Sequence, residues 1–266
     1  MRPLPTLVLT AAAMFALAAC TTASPKPDPG RFVARTIEVA GVTRHYQVFV
    51  PSPAVAGARP PIVLFLHGSG ERGEDGAKQV GAGLGPAVRA RAADFPAIVV
   101  FPQAPDGSEW SDHPALALAT LDAAVDEFGG DPARVYLTGM SMGGYGTWDL
   151  AVRHPDRFAA LVPVCGGVTA PGDRRPTLRV TAVDGADDPF AAVAAKVRDI
   201  PTWIFHGARD DLVLPEQSRR MHAALQAADA REVRYTEWPD ANHNSWDVTY
   251  ADPAMWDWLL AQRRSP

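Results

Sequence analysis

A serine flanked by glycines is the strongest chemical signal in the chain. Residues 139–143 read Gly-Met-Ser-Met-Gly, follow the apolar stretch 135–138 and lead into a segment with helical periodicity. In a tight strand-to-helix turn, small residues are needed on either side of the serine because side chains there would collide with neighbouring elements. The helix N-terminus also favours a developing negative charge beside the hydroxyl. We therefore predict that Ser141 is a nucleophile.

A serine hydroxyl is weakly nucleophilic at neutral pH, so this prediction requires a base and an acid that orients it. His243 lies in a loop near the C-terminus, and two aspartates, Asp210 and Asp211, follow the apolar run 203–205 closely. His243 is expected to accept the proton of Ser141 and to pass it to the leaving group, while one aspartate holds the imidazole. Spacing within the chain leaves both aspartates open for this role.

The negative charge that forms during acyl transfer needs hydrogen-bond donors, which are often the largest contribution to catalysis. The backbone N–H that follows the nucleophile belongs to Met142. The loop after the apolar run 62–66 reads His-Gly-Ser-Gly, and we assign the second donor to the backbone N–H of Ser69. These two groups form the predicted oxyanion hole.

The elements that must position these residues form an alternating pattern. Short apolar runs, typical of strands buried on both faces, alternate with segments of helical period, which predicts a mostly parallel sheet of about eight strands with helices on both faces. The predicted strands are 35–39 and 45–50, which form a hairpin, and 62–66, 98–101, 135–137, 160–164, 203–205 and 232–238. The predicted helices are 115–128, 143–154, 190–197, 215–228 and 253–264. Between residues 166 and 200 an irregular stretch, with a short alternating piece at 177–183, predicts an excursion over the sheet edge.

The first residues differ in composition from the rest. Residues 1–19 contain one arginine followed by an apolar stretch that is short for a membrane span, which is typical of a signal peptide. This stretch ends Leu-Ala-Ala-Cys at 17–20 and resembles the bacterial lipobox, which implies acylation of Cys20 and export to the cell envelope, with the outer membrane expected. Residues 20–31 are rich in proline and predict a flexible tether, so the catalytic domain is expected at 32–264.

Composition and charge exclude several classes of function. With 266 residues, of which 47% are hydrophobic, the chain can bury one sizeable core. The net charge is −5 and the basic residues are scattered, so nucleic acid is not an expected partner. No histidine pair has metal-ligand spacing, so we predict neither a metal nor another cofactor. Cys165 lies in an apolar run and is interpreted as a buried core residue.

Five blocks in order resemble exported α/β-hydrolases related to esterase D, polyhydroxybutyrate depolymerases, feruloyl esterases and the "predicted peptidase" group, over residues 32–262. They are Leu-His-Gly-Ser-Gly-Glu-Arg-Gly at 66–73, Phe-Pro-Gln-Ala-Pro at 101–105, Gly-Met-Ser-Met-Gly-Gly-Tyr-Gly-Thr-Trp at 139–148, Phe-His-Gly-Ala-Arg-Asp-Asp at 205–211 and His-Asn-Ser-Trp at 243–246. The resemblance implies the α/β-hydrolase fold and favours Asp210 over Asp211 as the acid. It implies hydrolysis of small or polymeric carboxylic esters. A serine peptidase of prolyl-oligopeptidase type and a catalytically silent binding lipoprotein are the alternatives.

Four further residues are expected near the cleft. Trp110 and Trp246 are candidates to stack on the substrate, although tryptophans at strand ends are as often part of the core. Glu71 and Arg72 are interpreted as a local ion pair. The stretch 169–189 is longer than in the simplest members of the group that the chain resembles, and it is expected to shape a pocket particular to this protein.

Overall fold

The computed structural model describes residues 28–173 and 175–264. The predicted signal peptide, Cys20 and most of the predicted tether therefore lie outside the described residues. Within the described ranges, none of the helices combines the length and the apolar character needed to cross a membrane.

Eight strands form one sheet, with spatial order β1-β2-β4-β3-β5-β6-β7-β8. The strands are β1 (Arg31–Val39), β2 (Val42–Val50), β3 (Ile62–Leu66), β4 (Ile98–Pro102), β5 (Val135–Met140), β6 (Ala160–Val164), β7 (Thr202–Gly207) and β8 (Val233–Trp238). The hairpin β1–β2 joins the sheet antiparallel to β4, and strands β3 to β8 run parallel. The predicted α/β-hydrolase type of sheet is confirmed.

Helices cover both faces of this sheet. They are α1 (Pro53–Ala56), α2 (Leu84–Ala90), α3 (Pro114–Phe128), α4 (Met142–Arg153), α5 (Pro189–Val197), α6 (Glu216–Ala227), α7 (Trp246–Ala251) and α8 (Pro253–Ala261). Successive side chains of a strand point to opposite faces, so β3 sends Leu64 into one core and Phe65 into the other. The first core contains residues of α3 to α6, and the second contains residues of α2, α7 and α8.

Both ends of the described chain lie at the same edge of the sheet. The N–H of Gly30 donates to the carbonyl oxygen of Ala92, which precedes β4 (2.6 Å), and the N–H of Arg264 donates to that of Ala133, which precedes β5 (2.9 Å). These contacts place both ends where the parallel strands begin. The loops that follow the strands gather at the opposite edge, which is where ligands bind in parallel α/β sheets.

The sequence prediction missed three of these helices and suggested one alternating piece that is not a strand. Helix α1 has four residues, α2 contains Gly85 and Pro86, and α7 has six residues, so none of the three carries a strong helical signal. Residues 177–183 form turns and a 3₁₀ turn at Thr181–Val183 rather than extended structure. The described residues of the excursion therefore add no strand to the sheet.

Candidate active site

Ser141 occupies a strained turn between β5 and α4. Its φ is 53° and its ψ is −118°, a backbone conformation that is rare for residues other than glycine and is found at functional sites. A Cβ atom at Gly143 would collide with the carbonyl oxygen of Leu66, and one at Gly139 would collide with the backbone of Gly143. The two glycines therefore allow β3, β5 and α4 to approach closely enough to form the turn.

The structure brings Ser141, His243 and Asp210 into one hydrogen-bonded chain. Nε2 of His243 lies 2.9 Å from Oγ of Ser141, and Nδ1 lies 2.7 Å from Oδ2 of Asp210. Because a carboxylate only accepts, Nδ1 carries the ring proton and Nε2 is free to accept one from the serine. Asp210 is buried, whereas the neighbouring Asp211 is exposed at the mouth of the pocket. Of the two candidate aspartates, Asp210 is therefore the one that is bonded to His243.

Asp210 is held as an anion by donors on several sides. Burial by itself would raise the pKa of this carboxyl, but hydrogen bonds from His206 and His243 outweigh burial and hold the pKa well below its ordinary value. The other carboxylate oxygen accepts the backbone N–H groups of Leu212 (2.9 Å) and Val213 (3.0 Å). A carboxylate fixed in this way can orient His243 without taking its proton.

His206 is a member of this network that the sequence analysis missed. It is fully buried at the end of β7, and its Nε2 lies 3.1 Å from Asp210 Oδ2 and 2.8 Å from the carbonyl oxygen of Val213. With two acceptors beside it, Nε2 carries the proton, and Nδ1 then accepts the hydroxyl of Ser218 at 2.7 Å. The sequence feature that could have identified His206 is its position at the carboxyl end of a buried strand, four residues before Asp210.

The two predicted oxyanion donors lie at the beginnings of short elements. Met142 is the first residue of α4, and Ser69 is the first residue of a 3₁₀ turn, Ser69–Glu71, that follows β3. The first N–H groups of a helix have no partner within it and are free to bind an anion. Ser69 and Ser141 line the same pocket, so the arrangement can receive a negatively charged oxygen beside the serine.

His67 lies directly before the loop of residues 68–71, which contains Ser69, and its hydrogen bonds hold that loop in place. Its Nδ1–H donates to the carbonyl oxygen of Gly68 (2.7 Å), and its Nε2 accepts the N–H of Ala104 (3.0 Å). Burial lowers the pKa of His67 to about 4, so the ring is neutral near pH 7. Its carbonyl oxygen accepts the indole N–H of Trp110 at 2.9 Å. These bonds tie the loop of residues 68–71 to the segment that carries Trp110.

Two expectations about neighbouring residues are corrected. Trp110 is 3% exposed and is not among the residues that line the pocket, because its indole packs in the core against Gly146 and His67. Arg72 pairs with Glu109 at 2.9 Å, 37 residues away, rather than with Glu71. Glu71 instead faces the pocket, where burial raises the pKa of its carboxyl.

A pocket of about 830 Å³ opens above the serine. Ser141 and His243 lie in it together with residues of three walls: the loop of residues 68–71, the loop after Asp210, and the excursion between β6 and β7. Trp246 forms part of the lining, and its ring stands perpendicular to that of His243 at a centroid distance of 5.5 Å. The excursion contributes Arg175 and Leu178, so it shapes the pocket as expected.

Within the described ranges, one group of side chains has ligand atoms close enough to surround a metal ion. Atoms of Cys165, Asp210 and His243 lie within 4.8 Å of one another. Burial raises the pKa of the Cys165 thiol far above its ordinary value, and the proton on Nδ1 of His243 is donated to Asp210. Since the thiol keeps its proton and both ring nitrogens of His243 are engaged with Asp210 and Ser141, the group fits proton transfer better than metal binding.

Comparison with known proteins identifies relatives of this chain. A family model described as "Putative esterase" matches residues 38–260. A solved thermostable esterase is 32% identical, with a TM-score of 0.71 over 88% of this chain and 63% of its own. FphF, a fluorophosphonate-binding serine hydrolase of Staphylococcus aureus, is 17% identical, with a TM-score of 0.66 over 88% of this chain and 99% of its own, and it supports the fold alone.

Among curated proteins, an uncharacterized secreted protein of Arthroderma benhamiae is 25% identical over 211 residues, which are 70% of this chain. The match covers 21% of that relative, so this chain spans about a fifth of its length. It likewise spans less than two thirds of the thermostable esterase.

Proposed function

We propose, because this chain belongs to the Esterase family, that it cleaves carboxylic esters with Ser141 as nucleophile, His243 as general base and Asp210 as the orienting acid. The observation that carries the proposal is the continuous hydrogen-bonded chain from Oγ of Ser141 through both ring nitrogens of His243 to Asp210. A hydroxyl with its proton directed at a neutral, oriented imidazole can attack an acyl carbon.

The reaction follows from this geometry. As Oγ attacks the carbonyl carbon of the ester, its proton passes to Nε2 of His243, and the resulting imidazolium is stabilised by Asp210. The carbonyl oxygen becomes an oxyanion beside the N–H groups of Ser69 and Met142. His243 then protonates the leaving alcohol, which leaves an acyl group on Ser141. Water activated by the same imidazole hydrolyses this acyl-enzyme and releases the acid.

The lining of the pocket supports a small-molecule ester as substrate. Leu178, Val213 and Trp246 supply apolar surface around the serine, whereas Glu71, Asp211 and Arg175 supply charge. Pockets that combine an apolar lining with a few polar groups are typical of small-molecule sites. Trp246 is the residue placed to contact the acyl or alcohol part of the substrate.

The test is hydrolysis of 4-nitrophenyl acetate, butyrate and octanoate by residues 28–266. Ser141→Ala and His243→Ala are expected to lower kcat by at least about 10³-fold, with unchanged circular dichroism. Asp210→Asn should lower kcat by about 10³- to 10⁴-fold because the amide favours the wrong tautomer of His243. The adjacent Asp211→Asn is the matched comparison for the choice of acid: its kcat should remain within about threefold of the wild type, while its KM is free to change because Asp211 lines the pocket.

Other results would point to the alternatives. A wild type that cleaves peptide anilides but not these esters would indicate a peptidase. A wild type inert to both, with no labelling of Ser141 by a fluorophosphonate, would indicate a binding protein. Equal losses in Asp210→Asn and Asp211→Asn would contradict the assignment of the acid.

Export and acylation of Cys20 are a separate proposal, supported by residues 1–20 of the sequence. The secreted relative of Arthroderma benhamiae agrees with export but carries no information on a lipid. Metabolic labelling with palmitate in a bacterial host should mark the full-length chain and not Cys20→Ser. Labelling of both forms, or of neither, would refute acylation at Cys20.

A further inference from the structure

A buried carboxylate beside the oxyanion hole is shared by two arginines. The side chain of Glu109 is 8% exposed, and its oxygens lie 2.9 Å from Nη2 of Arg72 and 2.8 Å from Nη2 of Arg175. A carboxylate removed from water is costly unless it is paired. Glu109 therefore fixes two guanidinium groups that come from distant parts of the chain: the loop after β3 and the excursion between β6 and β7.

Each of these guanidinium groups also contacts one residue of the oxyanion hole. Nε of Arg72 donates to the sulfur of Met142 at 3.2 Å, and Nη1 of Arg175 donates to Oγ of Ser69 at 3.2 Å. Glu109 is therefore connected through one arginine to Met142 and through the other to Ser69. The two elements that supply the proposed oxyanion donors, the 3₁₀ turn Ser69–Glu71 and the start of α4, thereby share a single anchor.

The anchor itself is firmly held. The backbone N–H of Glu109 donates to Asp112 at 2.9 Å, and the next residue, Trp110, donates to the carbonyl oxygen of His67 at 2.9 Å. The hydroxyl of Thr177 adds a bond of 3.3 Å to the carboxylate. Bonds from several elements leave Glu109 little freedom to shift when the charge of the substrate changes.

We propose that Glu109 is a positioning residue that sets the spacing between the N–H groups of Ser69 and Met142 through Arg175 and Arg72, an inference that rests on the proposed function. Oxyanion stabilisation depends on donors held at hydrogen-bond distance from the oxygen as its charge develops. Displacing such a donor by about 1 Å costs on the order of 10²-fold in rate. Loss of the anchor therefore acts mainly on the transition state and little on the bound ester.

The substitution Glu109→Gln keeps the size of the side chain and removes its charge. The chain offers a matched control at the opposite edge of the sheet. The side chain of Asp131 is also 8% exposed, and it is also bonded to two arginines, Arg134 at 3.0 Å and Arg263 at 2.9 Å. Asp131→Asn therefore imposes a similar loss of a buried ion pair far from Ser141.

We expect Glu109→Gln to lower kcat by about 10- to 100-fold while KM stays within about threefold. The inhibition constant of an alkyl boronic acid, which forms a tetrahedral adduct on Ser141, should rise by a similar factor. Asp131→Asn should lower the melting temperature by about as much as Glu109→Gln does, and it should leave kcat within about twofold of the wild type at 25 °C. Arg175→Ala, at a partly exposed residue, provides a second variant that is expected to fold.

Three outcomes overturn the proposal, and they are distinguishable. Equal kcat values in Glu109→Gln and Asp131→Asn would assign Glu109 to stability alone. A rise in KM without a fall in kcat in Arg175→Ala would make Arg175 a substrate contact rather than part of the anchor. A wild type that hydrolyses no ester and whose Ser141 reacts with neither the boronic acid nor a fluorophosphonate would overturn the proposed function, and the positioning role with it.

Discussion

Mild acid should destabilise the fold through His67. Both ring nitrogens are in use in the neutral form, since Nδ1–H donates to Gly68 and Nε2 accepts from Ala104. Protonation at Nε2 would replace the second bond by a contact between two donors and would bury a positive charge. The folded protein therefore resists the proton that the unfolded chain accepts readily.

The magnitude follows from the two pKa values. Burial lowers the pKa of His67 from its ordinary 6.5 to about 4 in the folded protein. Between these values the unfolded chain binds more protons than the folded one, so the free energy of unfolding falls as the pH falls. At about 1.4 kcal/mol for each unit of difference in pKa, the loss is about 2 kcal/mol at pH 5 and approaches about 3 kcal/mol below pH 4.

Urea denaturation of the wild type and of His67→Gln at pH 7.5, 6 and 5 measures how much of the free energy of unfolding is lost through His67 as the pH falls. Glutamine can accept the N–H of Ala104 and does not titrate, so the variant should be less stable at pH 7.5 but should lose about 2 kcal/mol less on acidification to pH 5. His45→Gln, at an exposed histidine, should keep the slope of the wild type. Parallel curves for the wild type and His67→Gln would refute the argument.

Two further predictions concern the network and the rim of the pocket. His206→Gln should lower kcat about tenfold, because Asp210 loses one of its buried donors. Melting curves would show whether the fall in kcat exceeds any loss of folded protein. An unchanged kcat would contradict a role for His206 in holding Asp210. Leu212 lines the pocket, whereas Leu214, which is similarly exposed on the same loop, lies outside the lining. Leu212→Ser should therefore raise KM for the octanoate ester and Leu214→Ser should not. Equal KM values for both variants would show that the acyl chain lies elsewhere.

The strands and the loops that carry the candidate site were predictable from the sequence for a physical reason. A strand buried on both faces must be apolar throughout, so β3 and β6 were placed at their exact limits. Loops that follow parallel strands converge at one end of the sheet, and for this reason the sequence predicts that Ser141 and His243 lie near the pair Asp210 and Asp211, with the family resemblance favouring Asp210.

The contacts between loops were beyond the reach of the sequence. Arg72 stands next to Glu71 in the chain, and nothing in local spacing indicates that it turns to Glu109 instead. His206 could be any buried strand histidine until the positions of Asp210 and Ser218 are known. A tryptophan can either stack on a substrate or pack in the core, and the sequence does not distinguish the two. Only the position of Trp110 in the structure, bonded to the carbonyl oxygen of His67, assigns it to the core. Pairs of polar side chains depend on which distant segments the fold brings into contact, whereas the burial of a strand is indicated by the apolar residues of that strand alone.

The position of the chain ends has a practical consequence for handling the molecule. Gly30 and Arg264 both lie where the parallel strands start, while the pocket opens where they finish. A fusion partner, an affinity tag or a solid support joined directly at Gly30 or Arg264 is therefore expected on the far side of the body from the mouth of the pocket. A protein trimmed to residues 30–264 can be displayed or immobilised through both of these positions at once with its pocket still facing the solution, as long as the loop that carries Leu212 is left free.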